Sequence, residues 1–374
     1  MNASQPRRHI GICRQRGLTL IELLVALAIG AFLIFGATQV YVDSRNAYGV
    51  NETVARMQET ARYAISIIEP DVRMANYWGL VKGASVISGQ TPQSSAAVPN
   101  WGGITACGNN FATDLNSNIQ ADDDQYFTNW TSPTTATAVP SSCDSLTQPD
   151  GTAWSTTPVT TADTLTVRRA SVFPSPSTPN WLQICSTRLA GRLISDGSVC
   201  NALSQQVNNL IVNAYYVDQN SSQANGLPSL RRKTLVHPAG GQSRFADQEV
   251  IPGIEDMQLQ FGIDDTGTSA IATRYVDPSQ LQNAVLVTNA QVVSVRVWLL
   301  VRSDAPEVGF TDDHVYEYGD RSRANGTTGD LNAAGAAGLA YSPSLSADTG
   351  PTGRQHYRRL LVSRTIQIRN ALGT

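Results

Sequence analysis

Residues 23–42 of this 374-residue chain carry no charged side chain. Coiled as a helix, twenty residues at about 1.5 Å each span about 30 Å, the depth of a bilayer core. Arg7, Arg8, Arg14 and Arg16 precede this run, and the first seventeen residues contain no acid. That asymmetry keeps the leader on the cytoplasmic side and places the chain beyond the helix outside. A removable secretory signal has its small cleavage residue after a shorter apolar core. Here the small residue, Gly17, comes before the core, so a cut there removes the basic leader and leaves the helix on the product. Glu22 stands at the mouth of the run. A carboxylate at the centre of a membrane helix costs about 3 kcal/mol on insertion scales; nearer the edge it costs less, and it is retained where it finds a partner. A cut after Gly17 supplies one, the new amine of Leu18, on this chain or on a neighbouring copy. The other reading is that Glu22 only reaches out to the headgroups.

Beyond residue 42 the helix turns polar, yet Val50, Val54, Met57, Ala61, Ile65 and Ile68 recur at helical spacing. They form the apolar stripe of an amphipathic helix laid on a sheet. Pro70 is expected to end or kink it. Residues 83–158 are rich in Ser, Thr, Pro and Gly, with Trp101, Trp130 and Trp154 among them. They read as a long irregular insertion, with the tryptophans as loop anchors or an exposed binding face. Strand patterning dominates afterwards. Met257, Leu259, Phe261 and Ile263 share one face, as do Val293, Val295, Val297, Leu299 and Val301. Leu360, Val362, Ile366 and Ile368 make a third set, with Arg364 out of pattern. Such alternation predicts an antiparallel sheet with one covered face. Residues 319–353 read as a flexible loop before the last strand.

The net charge of −3 gives no basic footprint, so no intrinsic nucleic-acid binding is expected. Lys82 and Lys233 are the only lysines; the other basic residues are arginine. Cys13 leaves with the leader. Cys107, Cys143, Cys185 and Cys200 remain, an even number that suggests two disulfides in an oxidising compartment. Sequence neighbours, 107 with 143 and 185 with 200, are the preferred pairing of three possible ones. Asp114, Asn116, Asn118 and Asp122 begin like a calcium loop. Ile119 stands at the glycine position and Gln125 at the closing acid, so the stretch reads as a solvated acidic turn and no metal is assigned. No nucleophile–base set, phosphate loop or zinc spacing is present in the sequence; no catalytic role and no cofactor are expected.

The stretch RGLTLIELLVALAI resembles the N-terminal signature of type IV pilins and type II secretion pseudopilins. The resemblance implies cleavage after Gly17 by a prepilin peptidase and N-methylation of Leu18, where the family usually has phenylalanine. It also implies that Glu22 is the acid at mature position five. The stretches GIEDMQLQFGIDD, VSVRVWLLVRS and RRLLVSRTIQIRN resemble minor pilins of the PilW type. The implied architecture is α+β. Residues 1–17 are a removed leader, 18–42 a transmembrane helix half, and 43–75 its amphipathic half. Residues 76–374 are a periplasmic β-rich body carrying the insertion at about 83–158. The implied role is type IV pilus assembly, in a priming or tip complex that supports twitching motility and surface attachment. The implied partners are the prepilin peptidase, major and other minor pilins, the inner-membrane assembly platform and membrane lipid. Alternatives are a J-type minor pseudopilin of a type II secretion system and a pilus-tip adhesin or binding module.

Overall fold

The computed structural model describes residues 19–92, 110–124, 159, 161–198, 200, 205–241, 243–284, 290–322, 339–345 and 353–371. Helix α1, Leu20–Arg73, is one unbroken helix of 54 residues. The chain divides into two compact units, Met1–Thr53 and Val54–Thr374.

In the first unit the described residues belong to α1 apart from Thr19. Their apolar side chains are exposed: Leu20, Ile21, Leu27, Phe32, Ile34, Phe35 and Val40 all show more than half of their surface. In water such a surface is unfavourable by about 25 cal/mol per Å². The helix is long and apolar enough to cross a membrane. Where polar residues return, they serve the helix itself: Thr38 donates to the carbonyl of Ile34 at 2.8 Å, and Gln39 to Asp43 at 3.1 Å.

The second unit contains residues 54–73 of α1 and fourteen described strands. These are β1 Tyr77–Trp78, β2 Val81–Lys82, β3 Ile87–Ser88, β4 Ile119–Asp122, β5 Thr164–Ala170, β6 Pro179–Ser186 and β7 Gly191–Asp196. They continue with β8 Gln206–Asp218, β9 Ser229–Val236, β10 Arg244–Pro252, β11 Ile254–Asp264, β12 Arg274–Val276, β13 Gln291–Arg302 and β14 Arg359–Gln367. A short helix α2, Pro278–Ala284, precedes β13. Strands β10-β9-β8-β6-β7-β3 form an eight-stranded sheet, with β5 also pairing to β8 and β4 to β5. Strands β12-β11-β13-β14 form a four-stranded antiparallel sheet.

The amphipathic stripe does what its spacing predicts. Met57, Ala61, Ala64, Ile65, Ile68 and Val72 are buried in one core with Met257, Leu259 and Phe261 of β11 and Val293, Val295, Val297 and Leu299 of β13. Tyr215 and Val217 of β8 join the same core. Arg364 breaks the β14 pattern because it meets an acid on the helix: it lies 3.5 Å from Glu69, which also pairs with Arg73. Pro70 does not end α1, which continues to Arg73 before Asn76 takes a left-handed φ of 63°.

Three expectations are corrected. The eight-stranded sheet is covered on both faces, not one. Leu210, Val212 and Ala214 of β8 look into a second core with Trp78, Ile87, Phe111, Leu182, Ile184 and Phe245, while Tyr215 and Val217 look into the first. This two-sided burial explains the weak alternation of β5 and the nearly continuous apolar run of β8. Second, the 83–158 segment is not wholly an insertion outside the core, since Ile87, Phe111, Leu115 and β4 are buried parts of it. Third, residues 319–322 and 339–343 are packed: Tyr341 is fully buried with Leu300, Tyr316 and Tyr318, and Arg321 is 2% exposed. Trp101, Trp130 and Trp154 lie outside the described residues.

Candidate functional site

Glu22 sits in the first turn of α1. The carbonyl of Thr19 accepts from the amides of Glu22 and Leu23, at 3.1 and 3.2 Å, and so opens the helix. The Thr19 hydroxyl donates to Glu22 Oε2 at 3.3 Å. Thr19 and Glu22 have the three-residue spacing of a capping box, and the bond between them runs side chain to side chain. A carboxylate there also meets the positive end of the helix dipole. Glu22 thus has a local contact at the start of the helix. Its neighbours Leu20, Ile21, Leu23 and Leu24 are exposed. Gly17 and Leu18 lie outside the described residues.

Asp71 secures the other end of α1. It is 5% exposed, on the flank of the apolar stripe. Its Oδ1 accepts from Arg169 of β5, Nη2 at 2.7 Å and Nε at 3.1 Å. Its Oδ2 accepts from Asn213 at 2.6 Å and the Tyr215 hydroxyl at 2.5 Å, both on β8. Burial, then the Asp71 charge, hold the Tyr215 hydroxyl well above its usual range and keep it a neutral donor. The helix is therefore fastened to the eight-stranded sheet by a carboxylate as well as by apolar contact.

The stretch from Asp114 to Asp122 is not a solvated turn. Asp114 and Asp122 are buried, Asn118 is half-buried, and only Asn116 is exposed. They surround the fully buried Arg168, which donates through Nε to the carbonyl of Phe111 at 2.9 Å. Its Nη1 reaches the carbonyl of Ser117 at 2.5 Å and the Gln120 side chain at 2.8 Å. Burial lowers the Arg168 pKa to about 10, against the opposing pull of Asp114 and Asp122. The cation held by this loop is a guanidinium. Among the described residues no group of three His, Cys, Asp or Glu side chains is arranged to hold a metal.

Two further arginine centres lie on the outer side of the four-stranded sheet. Arg321 donates to Asp256 at 2.6 Å, which also accepts from the Tyr318 hydroxyl at 2.5 Å. Asp124 lies 3.5 Å from the same guanidinium. Burial, partly offset by Arg321, raises Asp124 to about 6; burial, with Asp124 and Asp123 nearby, raises Asp320 to about 7. Arg359 holds both oxygens of Glu255, at 2.5 and 3.0 Å, and keeps that carboxyl below its usual range despite burial. Arginine suits both centres, because a planar five-donor fork can hold two carboxylate oxygens at once. Cys185 and Cys200 are disulfide-bonded, with Cα atoms 6.2 Å apart. Cys107 and Cys143 lie outside the described residues.

Comparison with known proteins adds two family matches. Residues 214–370 match Type IV Pilus-assembly protein W, and residues 12–38 match the Prokaryotic N-terminal methylation motif. The first runs from the middle of β8 through β14 and takes in the whole four-stranded sheet. The second contains Gly17, Leu18, Thr19 and Glu22. Among solved structures, a type IV-like pilin from Thermus thermophilus is 14% identical over 58% of this chain and 81% of that one, with a TM-score of 0.24. At that score the overlap carries no argument, and the α+β class rests on the helix and sheets described above. No curated protein matches the chain. With an N-methylation motif at one end and the pilus-assembly match over its C-terminal sheet, the chain resembles type IV pilin-like proteins of the PilW type over those two regions.

Proposed function

We propose that the chain is a minor pilin required for type IV pilus assembly, acting in a priming or tip complex and so supporting twitching motility and surface attachment. The observation that carries this reading is the pairing, in one chain, of the methylation motif on a membrane-length helix with a pilus-assembly match over the C-terminal sheet. In this reading the prepilin peptidase removes residues 1–17 and methylates Leu18. The mature chain then waits in the inner membrane with its body in the periplasm. The assembly platform extracts it into a fibre with other minor pilins and the major pilin. Catalysis has no part in this role. The pilus-assembly match favours this role over a secretion pseudopilin.

Glu22 acts on assembly in this scheme, by pairing with the Leu18 amine of its own or a neighbouring subunit. The test separates that charge from the helix cap. Glu22→Gln keeps an acceptor for the Thr19 hydroxyl but carries no charge; Glu22→Ala removes both. Both variants are expected to reach the membrane and to be cleaved normally, and both to be lost from sheared pili. Incorporation of Glu22→Gln at the wild-type level would show that the residue serves only the cap.

A further inference from the structure

One end of the eight-stranded sheet leaves large apolar side chains uncovered. Thr187 closes the β6–β7 turn there: its amide donates to the carbonyl of Ala190 at 2.8 Å, and its hydroxyl accepts from the amides of Leu189 and Ala190. Leu189, at the tip, is 88% exposed. The amide of Leu80 donates to Ser186 Oγ at 3.0 Å, and the carbonyl of Val86 accepts from Gly191 at 3.1 Å. Leu80 and Val86, both exposed, therefore stand beside the same turn. Across β8, the amides of Ser171 and Ser175 donate to the carbonyls of Asn209 and Val207. Between them Val172 is exposed and Phe173 is 81% exposed. They lie at the same end of the sheet, because Gln206 at the start of β8 pairs with Ser186.

The segments that build this end are poor in acid. Residues 72–113, 164–195 and 197–217 contain none, although the whole chain is net negative; Asp196 alone separates the last two. Lys82 and Arg188 are exposed and pair with no carboxylate among the described residues. Arg188 adjoins Leu189 in the turn, and Lys82 is two residues from Leu80. Arg192 is engaged elsewhere: it donates to the Ser198 hydroxyl at 2.9 Å, beside Asp196. Apolar side chains next to unneutralised cations suit an anionic lipid surface, where the apolar groups enter the headgroup boundary and the cations lie on phosphates. A rigid protein partner would need a matching pit for each of these separate tips; a fluid surface needs none. Within the second unit, Thr60 of α1 lies beside Gly253, near the end of β8, and Asp71 reaches Asn213 in its middle. The apolar tips are at the start of β8, so α1 enters this unit at the opposite end. We propose that this end of the sheet is a docking surface for an anionic lipid bilayer, a second one rather than the bilayer that holds α1. The surface stands apart from Glu22 and does not depend on the assembly role.

The test uses the full chain in POPC nanodiscs, which occupy the apolar half of α1, and free fluorescent vesicles of POPC or of equal parts POPC and POPG. Co-flotation is expected to recover the nanodiscs with the POPG vesicles at least about tenfold better than with POPC alone, and raised salt should reverse it. Leu189→Ser and Phe173→Ser should each weaken capture about tenfold. Lys82→Gln and Arg188→Gln should each weaken it about fivefold. Val308→Ser removes another fully exposed apolar side chain, outside this surface, and should change nothing. All of these side chains are exposed, so the variants keep the fold. No capture of POPG vesicles overturns the proposal. So does equal capture of POPC vesicles, or unchanged capture in both Leu189→Ser and Phe173→Ser. Nanodiscs that associate with each other through Leu189 and capture no vesicle would make this end a contact between copies of the chain, and that result also overturns it.

Discussion

Replacing Asp71 by alanine is expected to destabilise the second unit by about 3–5 kcal/mol, the cost of removing one partner from a buried ion pair. The carboxylate accepts four hydrogen bonds from three side chains on two strands. Charge-assisted bonds contribute about 1.5–3 kcal/mol each, but they share one anion and do not add. The larger effect is what stays behind. Arg169, whose side chain is 14% exposed, loses its carboxylate. The Asn213 amide and the Tyr215 hydroxyl lose their acceptor in a dry site. Glu69, two residues earlier, is the internal control: its pairs with Arg73 and the half-exposed Arg364 lie at the surface, where a pair contributes about 0–1 kcal/mol. Denaturant unfolding of the full chain in micelles, followed by tryptophan fluorescence, measures both. Asp71→Ala should lower the midpoint several times more than Glu69→Ala. The double change Asp71→Leu with Arg169→Leu should recover much of the loss, since no unpaired charge then remains. A loss below about 1 kcal/mol for Asp71→Ala, or one no larger than for Glu69→Ala, refutes the view that this carboxylate fastens the helix.

The acids around Arg321 set a pH dependence. Asp124 and Asp320 have folded pKa values raised to about 6 and about 7, above the about 3.9 of an unfolded aspartate. The folded state therefore binds more protons than the unfolded one across this window, and stability falls as pH rises through it. Asp320→Asn should be more stable than wild type at pH 8 and converge with it by pH 5; paired melts at both pH values measure this, and a gap that is equal at the two pH values would exclude it. At the other end of the chain, Gly17→Val should block leader removal, because the peptidase must admit a residue with almost no side chain. Intact-mass measurement of the membrane fraction should then show the unprocessed chain, and an unchanged mature mass counts against cleavage at that bond.

Much of the helical and C-terminal architecture was legible because its signals are local. A charge-free run of membrane length, an apolar stripe at helical spacing and period-two alternation in β11, β13 and β14 each lie within a few turns or one strand. The motif around Gly17 and Glu22 is local too, as is the contact between Thr19 and Glu22 at the start of the helix. The tertiary structure decided what depends on distant partners. Asp71 meets Asn213 across 142 residues, and Arg321 meets Asp256 across 65. Nothing beside either residue in the sequence marks the contact. The same reason hid the second face of the eight-stranded sheet: β8 reads as apolar whether one core or two will cover it. It also turned the acidic stretch at 114–122 from a solvated turn into a shell for Arg168, since a buried guanidinium needs acceptors and the sequence does not say which arginine will come. Local periodicity is set by backbone geometry, whereas the pairing of buried charges is set by whichever strands the fold brings together.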